Sequence, residues 1–239
     1  MSRHVPSLLT LSNLAMGCIS IVCAFSGKME WIPLLVFIAI FADSLDGLVA
    51  RYLGVSSEMG KELDSMADMV TFGVLPGVVM YHLLLWSWGH SGDAFPPTEL
   101  FLKALPAFAL TLFSAVRLAK FNIDQRDEPG FIGLPTPAST VFFIALITVV
   151  GENNIWGELV SNKWVLYGLT FMFSYLMVSP LRMFSNKFKG RAWSDNKLRY
   201  IFLILIFSLF GVFGYMGLAL STILYLGFSL LTHSGMARS

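Results

Sequence analysis

The sequence predicts an all-α integral membrane protein, a bundle of about eight transmembrane helices. Three observations carry that expectation. Apolar residues make up 56% of the 239-residue chain and charged residues only 13%, at a mean hydropathy of +0.70, whereas a soluble domain carries about 25% charged residues. The apolar residues gather in runs close to the roughly 20 residues that cross a bilayer. Lys and Arg gather in alternate connections between those runs, as the positive-inside rule requires.

Taken in order, the runs are 7–25, 31–52, 64–86, 100–121, 133–151, 164–183, 198–215 and 217–231. The first opens on Ser7-Leu-Leu-Thr10-Leu-Ser12-Asn13 and contains both cysteines, Cys18 and Cys23. Two thiols within one apolar run suit small buried side chains rather than a disulfide framework or a metal knuckle. The run is too long for a signal peptide, and no small-residue cleavage pattern follows it. The second ends, and the third begins, in aspartates. The fourth ends at Arg117-Leu-Ala-Lys120-Phe-Asn122, and the fifth starts at Gly133-Leu-Pro135-Thr136-Pro137. The sixth closes on Met177-Val-Ser179-Pro-Leu-Arg182-Met-Phe-Ser185-Asn-Lys187, while the last two are almost free of ionisable residues and read as scaffold. No soluble domain, internal repeat or low-complexity tract lies between the runs. Helices are therefore required, because lipid-exposed backbone must satisfy its own hydrogen bonds.

The densest basic segment, Arg182, Lys187, Lys189, Arg191, Lys197 and Arg199, follows the sixth run. Arg51 and Lys61 follow the second, and Lys120 and Arg126 the fourth. The connection 87–98 has no Lys or Arg, and 152–163 has only Lys163. This alternation predicts both termini and the acidic helix ends on the cytoplasmic side of an inner or cell membrane, with Arg3 and Arg238 in agreement. The basic segment also suits contact with anionic headgroups. Trp31, Trp86, Trp88 and Trp164 fall near the opposite ends, as an interfacial belt does. His4, His82, His90 and His233 show no ligand spacing.

Chemistry concentrates in Asp43-Ser-Leu-Asp46-Gly47-Leu-Val-Ala50-Arg51 and Gly60-Lys-Glu-Leu-Asp64-Ser-Met-Ala-Asp68. Asp43, Asp46 and Ala50 recur at i, i+3 and i+7, and Asp64 and Asp68 at i and i+4, each set on one helical face. The short connection between them predicts antiparallel neighbouring helices with four carboxylates at one level. Each ionised aspartate near membrane depth costs about 2.5–3.5 kcal/mol, and Arg51 and Lys61 flank the group rather than fill it. Divalent metal is the better counter-charge. With carboxylates present and no thiol or imidazole among them, Mg2+ or Mn2+ is expected, as two ions with two ligands from each helix. Gly47 and Ala50 leave that face without bulk, as does Gly60 before the second pair.

The spacing D-x2-D-G-x2-A-R-x8-G-x3-D-x3-D resembles the signature of the CDP-alcohol phosphatidyltransferase family at every fixed position. The resemblance implies a six-helix core over 1–190, with 191–239 as two additional helices. It implies that Asp43, Asp46 and Asp64 are metal ligands and that Asp68 is a ligand or the base activating the acceptor hydroxyl. Gly47, Ala50, Arg51 and Gly60 would line the CDP-lipid pocket. It also implies a homodimer and phosphatidyl transfer with loss of CMP.

The signature does not fix the acceptor alcohol. The stretches 7–13, 71–76, 117–122, 133–137 and 177–187 resemble the serine-accepting, phosphatidylserine-forming branch of the family. That implies CDP-diacylglycerol and L-serine as substrates among membrane lipids, and no nucleic acid. Ser7, Thr71 and Lys120 depart from the branch's usual residues. A serine carboxylate needs a cation at the cytoplasmic helix ends, and Arg117, Lys120, Arg182 and Lys187 qualify. Asn13 and Thr136 are candidates for polar contacts, and 124–128 for the entrance. Two readings stay open beside this one. Another acceptor, glycerol 3-phosphate or inositol phosphate, would demand a denser basic pocket. A cation transporter would spread acids through the bilayer depth.

Overall fold

The computed structural model describes residues 5–55, 57–90, 95–123, 131–183 and 193–236. The predicted entrance 124–128 and the basic residues Lys187, Lys189 and Arg191 lie outside them.

Four described helical passages are long and apolar enough to cross a membrane, Pro6–Phe25, Met29–Leu53, Glu58–Ser87 and Thr98–Ile123. Four shorter apolar ones follow, Thr136–Ile147, Lys163–Val178, Leu203–Phe213 and Tyr215–Leu230. They coincide with the eight predicted runs. The first two passages contain α1 (Val5–Phe25) and α2 (Ile32–Leu53). The third is broken into α3 (Glu58–Asp68), a π-helical turn (Met69–Val74) and α4 (Leu75–Ser87). The fourth joins α5 (Thr98–Ala104) to α6 (Ala109–Ile123) through a 3-10 turn. Then come α7 (Thr136–Ile147), α8 (Ile155–Ser161), α9 (Lys163–Val178), α10 (Trp193–Phe213) and α11 (Tyr215–Met236).

The third passage is the central post of the bundle. Its most apolar stretch is 72% buried, against 28%, 33% and 22% in the other long passages. Leu75, Val79, Met80, Leu83 and Leu84 of α4 are fully enclosed or nearly so and meet the core residues Leu110, Phe143, Leu146 and Phe173. Helices α1 and α5–α9 pack on this post, α11 packs on α7 and α10 on α11, and the outer helices expose apolar side chains such as Phe37, Phe41, Leu112 and Phe207. That is the arrangement expected where the surrounding solvent is lipid.

Two features differ from the sequence expectation. The connection at 152–163 contains the short helix α8, started by Asn154 accepting from the Trp156 and Gly157 amides. In addition, α2 and α3 are not packed directly against one another as antiparallel neighbours. Helix α1 packs against each of them more extensively than they pack together. The reason is local. Gly54 ends α2 in a left-handed cap at φ 62°, and α3 begins six residues before the predicted run, where Ser57 accepts from the Gly60 amide at 3.0 Å. The turn spreads the two helices, and α1 fills the space.

A second device fixes the start of α7. Phe131 and Ile132 (β1) pair antiparallel with Met183 and Arg182 (β2). The Gly133 amide then donates to Leu181 O at 2.9 Å and Leu134 to Leu176 O at 3.0 Å. Gly133 has φ +74°, and a Cβ there would stand 2.1 Å from the Met177 carbonyl oxygen. Only glycine fits. The segment is pinned to the end of α9, and Thr136 and Pro137 start α7 from that fixed point.

Candidate active site

The converging carboxylates come from one residue of α2 and two of α3. Asp43, Asp64 and Asp68 each present a carboxylate oxygen within 4.8 Å of the others, and all are half-buried. Asp43 and Asp68 stand within hydrogen-bonding reach of one another. Asp46 is more deeply buried, at 7% exposure. It turns one oxygen to α1, where the Thr10 hydroxyl donates to it at 2.7 Å, and its charge still acts on the other three. The expected two-plus-two arrangement is thus a group of three with Asp46 beside it.

Helix α1 is the wall that sequence reasoning undervalued. Asn13, wholly buried, donates from Nδ2 to Asp68 Oδ1 at 3.2 Å. Thr10 lies three residues earlier, on the same face. That spacing was the available signal, and without the aspartates' positions it indicated only helix packing. Behind Asp68 the π turn widens the helix. The Thr71 hydroxyl donates to the Asn13 carbonyl (3.1 Å), Thr140 to Phe72 O (3.0 Å) and Thr111 to Gly73 O (3.0 Å). The first ties the turn to α1, and the other two satisfy carbonyls of the turn that a regular α-helical ladder would occupy itself. Gly17 admits Thr71, since a Cβ there would meet its hydroxyl at 2.3 Å.

The opposite wall is α6. Arg117, only 8% exposed, donates from a terminal guanidinium nitrogen to the Thr136 hydroxyl at 3.2 Å. Asp68 is among the charges that act on Arg117. Two of the predicted acceptor-binding residues therefore meet where α6 faces the first turn of α7. Lys120 is exposed on the last turn of α6. The Arg182 backbone lies in β2, and Lys187 lies outside the described residues. Asn122 donates to Ser65 at 2.7 Å, tying the end of α6 to α3.

Of the small residues, Gly47 has nothing within 4 Å of where a Cβ would stand, so a ligand can approach the α2 backbone there. Ala50 is half-buried and Arg51 exposed in the last turn of α2. A Cβ at Gly60 would stand 3.1 Å from the Ser57 hydroxyl that caps α3.

Residues 3–178 match the family model described as CDP-alcohol phosphatidyltransferase. The chain belongs to that family. Among curated CDP-alcohol phosphatidyltransferases, it is 32% identical over 180 residues to the CDP-diacylglycerol–serine O-phosphatidyltransferase of Bacillus subtilis strain 168, covering 75% of this chain and 89% of the relative. It is 34% identical over 205 residues to the enzyme of that name from Helicobacter pylori strain J99, covering 84% and 78%. A Methanocaldococcus jannaschii protein of the same name is 32% identical over 149 residues, covering 62% of each. The family match spans the first six passages and stops before α10 and α11.

The acidic group fits a divalent ion. Its donors are hard oxygens suited to Mg2+ or Mn2+, and Asp64 Oδ1 is buried without a hydrogen-bond partner. A buried carboxylate oxygen left in that state is costly unless a cation takes it.

Proposed function

We propose that this protein transfers the phosphatidyl group of CDP-diacylglycerol to the hydroxyl of L-serine, releasing CMP and forming phosphatidylserine. The observation that carries the reading is the convergence of Asp43, Asp64 and Asp68, with Arg117 buried on α6 and bonded to Thr136. Relatives bearing the serine-transferase name support the choice of acceptor.

Asp43, Asp64 and Asp68, with the second oxygen of Asp46, would hold two Mg2+ or Mn2+ ions. Ions held there would supply charge neutralisation for the CDP-lipid pyrophosphate and for departing CMP. Gly47 opens the α2 backbone to the nucleotide, with Ala50, Arg51 and Gly60 along the same approach. Asp68 accepts the serine hydroxyl proton, held in orientation by the Asn13 amide. The serine oxygen attacks the lipid-linked phosphorus, the bond from that phosphorus to the bridging oxygen breaks, and CMP leaves with the bonding pair. Arg117, positioned by Thr136, holds the serine carboxylate, because a planar guanidinium matches a carboxylate. Among the described residues only one such buried cation stands here, which suits a carboxylate better than a phosphate dianion. Lys120, Arg182 and Lys187 belong to the approach of the anionic substrates.

The site faces the cytoplasm in this reading, with both termini on that side of the cell membrane. The first six helices over 1–190 form the catalytic core, 191–239 adds two helices, and the working unit is a homodimer. Purified protein in detergent with CDP-diacylglycerol and Mg2+ or Mn2+ should release CMP only when serine is added. Equal release with glycerol 3-phosphate or inositol phosphate, or release without any acceptor, would overturn the assignment. Light scattering of the purified protein tests the dimer.

A further inference from the structure

Buried polar side-chain atoms without a hydrogen-bond partner are expensive in an apolar bundle. Among the described residues they are Asn13 Oδ1, Asp64 Oδ1, His82 Nε2, Arg117 Nε and Ser174 Oγ. The last pair are single atoms on separate helices, His82 on α4 and Ser174 on α9. The other three belong to residues gathered round Asp68. Asp64 Oδ1 is accounted for by a cation. That leaves an acceptor, Asn13 Oδ1, and a donor, Arg117 Nε.

Their placement is complementary. Asn13 reaches Asp68 from α1, and Arg117 on α6 is buried and feels the Asp68 charge. Both helices pack on the π turn that follows Asp68, yet α1 and α6 do not pack appreciably on each other. An orphaned carbonyl on α1 and an orphaned guanidinium N–H on α6 are thus both carried by helices packed on the turn that follows Asp68. The orientation of the Asn13 amide is not arbitrary. Reversing it would point Oδ1 at the Asp68 carboxylate and lose the 3.2 Å bond from Nδ2.

We propose that Asn13 is a specificity-determining residue, which accepts a hydrogen bond from the ammonium of the acceptor through Oδ1 while its Nδ2 orients Asp68. With Arg117 on the carboxylate, the site is a two-point cradle for a small zwitterionic hydroxy-amino acid, and the hydroxyl is left at Asp68. The inference rests on the serine reading but adds to it, since neither the aspartate signature nor a cation for the carboxylate explains why an acceptor lacking the ammonium should be refused. With the aspartates' charge taken up by bound ions, Asn13 Oδ1 is the acceptor that gives the ammonium a place and a direction.

The test compares L-serine with two analogues, 3-hydroxypropionate, which lacks the ammonium, and ethanolamine, which lacks the carboxylate. CMP release is measured for the full chain and for Asn13→Ala. The unaltered protein should use both analogues at least about tenfold less efficiently than serine, the value of one hydrogen bond to a charged group. In Asn13→Ala the serine KM should rise about tenfold, and the preference over 3-hydroxypropionate should shrink to about threefold or less. The preference over ethanolamine and the KM for CDP-diacylglycerol should stay within about twofold. Asn13→Leu, nearly isosteric and apolar, gives the same readout should the alanine variant fail to accumulate. Ready use of 3-hydroxypropionate by the unaltered protein would overturn the inference. So would a variant that retains its preference for serine over 3-hydroxypropionate, or one that loses CDP-diacylglycerol affinity along with it, which marks a packing defect. Any of these leaves serine-dependent CMP release intact, whereas failure of serine itself to drive release removes the functional reading first.

Discussion

Asp64 and Asp68 are one helical turn apart and have different jobs, and substitution should separate them. Asp64 carries the orphaned buried oxygen, so Asp64→Asn removes a ligand charge while keeping shape. Turnover should fall more than about a hundredfold, with the folded, monodisperse protein retained in detergent. Excess chelator should reproduce the loss, and added Mg2+ or Mn2+ should reverse it. Activity retained under both treatments would remove metal from the mechanism. Asp68→Ala should lower kcat by about 10²–10⁴-fold, as expected for a general base, with a smaller change in the KM for CDP-diacylglycerol. A change confined to that KM would leave Asp68 as a ligand only. For Arg117, the bond to Thr136 and the burial predict that Arg117→Lys raises the serine KM about tenfold, because lysine cannot fork to a carboxylate and hold Thr136 together. The aspartates were legible in the sequence because their spacing is set by a single helical period. Thr10 and Asn13 were only half legible: their face on α1 could be read, but what the face meets depends on packing among three helices.

The elements that hold the site are the π turn and the Gly133 pin. Thr140 donates to Phe72 O within the buried part of that turn. Thr140→Val keeps the shape and removes the donor, leaving the carbonyl with one partner fewer where water cannot replace it. A destabilisation of about 1–3 kcal/mol is expected, read as a lower thermal midpoint in detergent. An unchanged midpoint would mean that the turn closes its own bonds. At Gly133, alanine meets both a positive φ and the Met177 carbonyl. Gly133→Ala should therefore displace the start of α7, destabilise the fold and raise the serine KM through loss of the Thr136–Arg117 contact, while the CDP-diacylglycerol KM, set on α2 and α3, changes less. The sequence marked Gly133-Leu-Pro135 as the start of the fifth run but not its partner, which lies some 45 residues on at Leu176–Leu181. The π turn left no mark at all. Met69–Val74 continues the helical apolar pattern, and the insertion shows only once the carbonyls and their threonine donors are seen together.

At the scale of the whole molecule, eight apolar passages were legible because lipid imposes a length and a composition on each. Which passages touch was not, because a surface of Leu, Phe and Val is equally suited to lipid and to another helix. Orientation depends on the few charges that remain. At the acidic end, Arg51, Lys61 and Lys120 are all exposed. At the opposite end Lys28 is exposed but two further lysines are engaged: Lys103 and Lys163 lie 4.2 and 3.6 Å from the Trp88 ring centroid, and Lys103 also pairs with Glu99. Trp88 in turn donates to the Tyr167 hydroxyl, which donates to the Lys103 carbonyl. Lysines held against an aromatic belt suit an interface, and solvent-facing basic residues beside short connections suit the cytoplasmic side. Sealed vesicles with the cytoplasmic face outward should therefore release CMP from added CDP-diacylglycerol and serine, and a membrane-impermeant chelator should stop them. Vesicles of the opposite orientation should respond to neither until permeabilised. Inhibition by external chelator in the second preparation alone would place the aspartates on the other side, and with them the supply of serine.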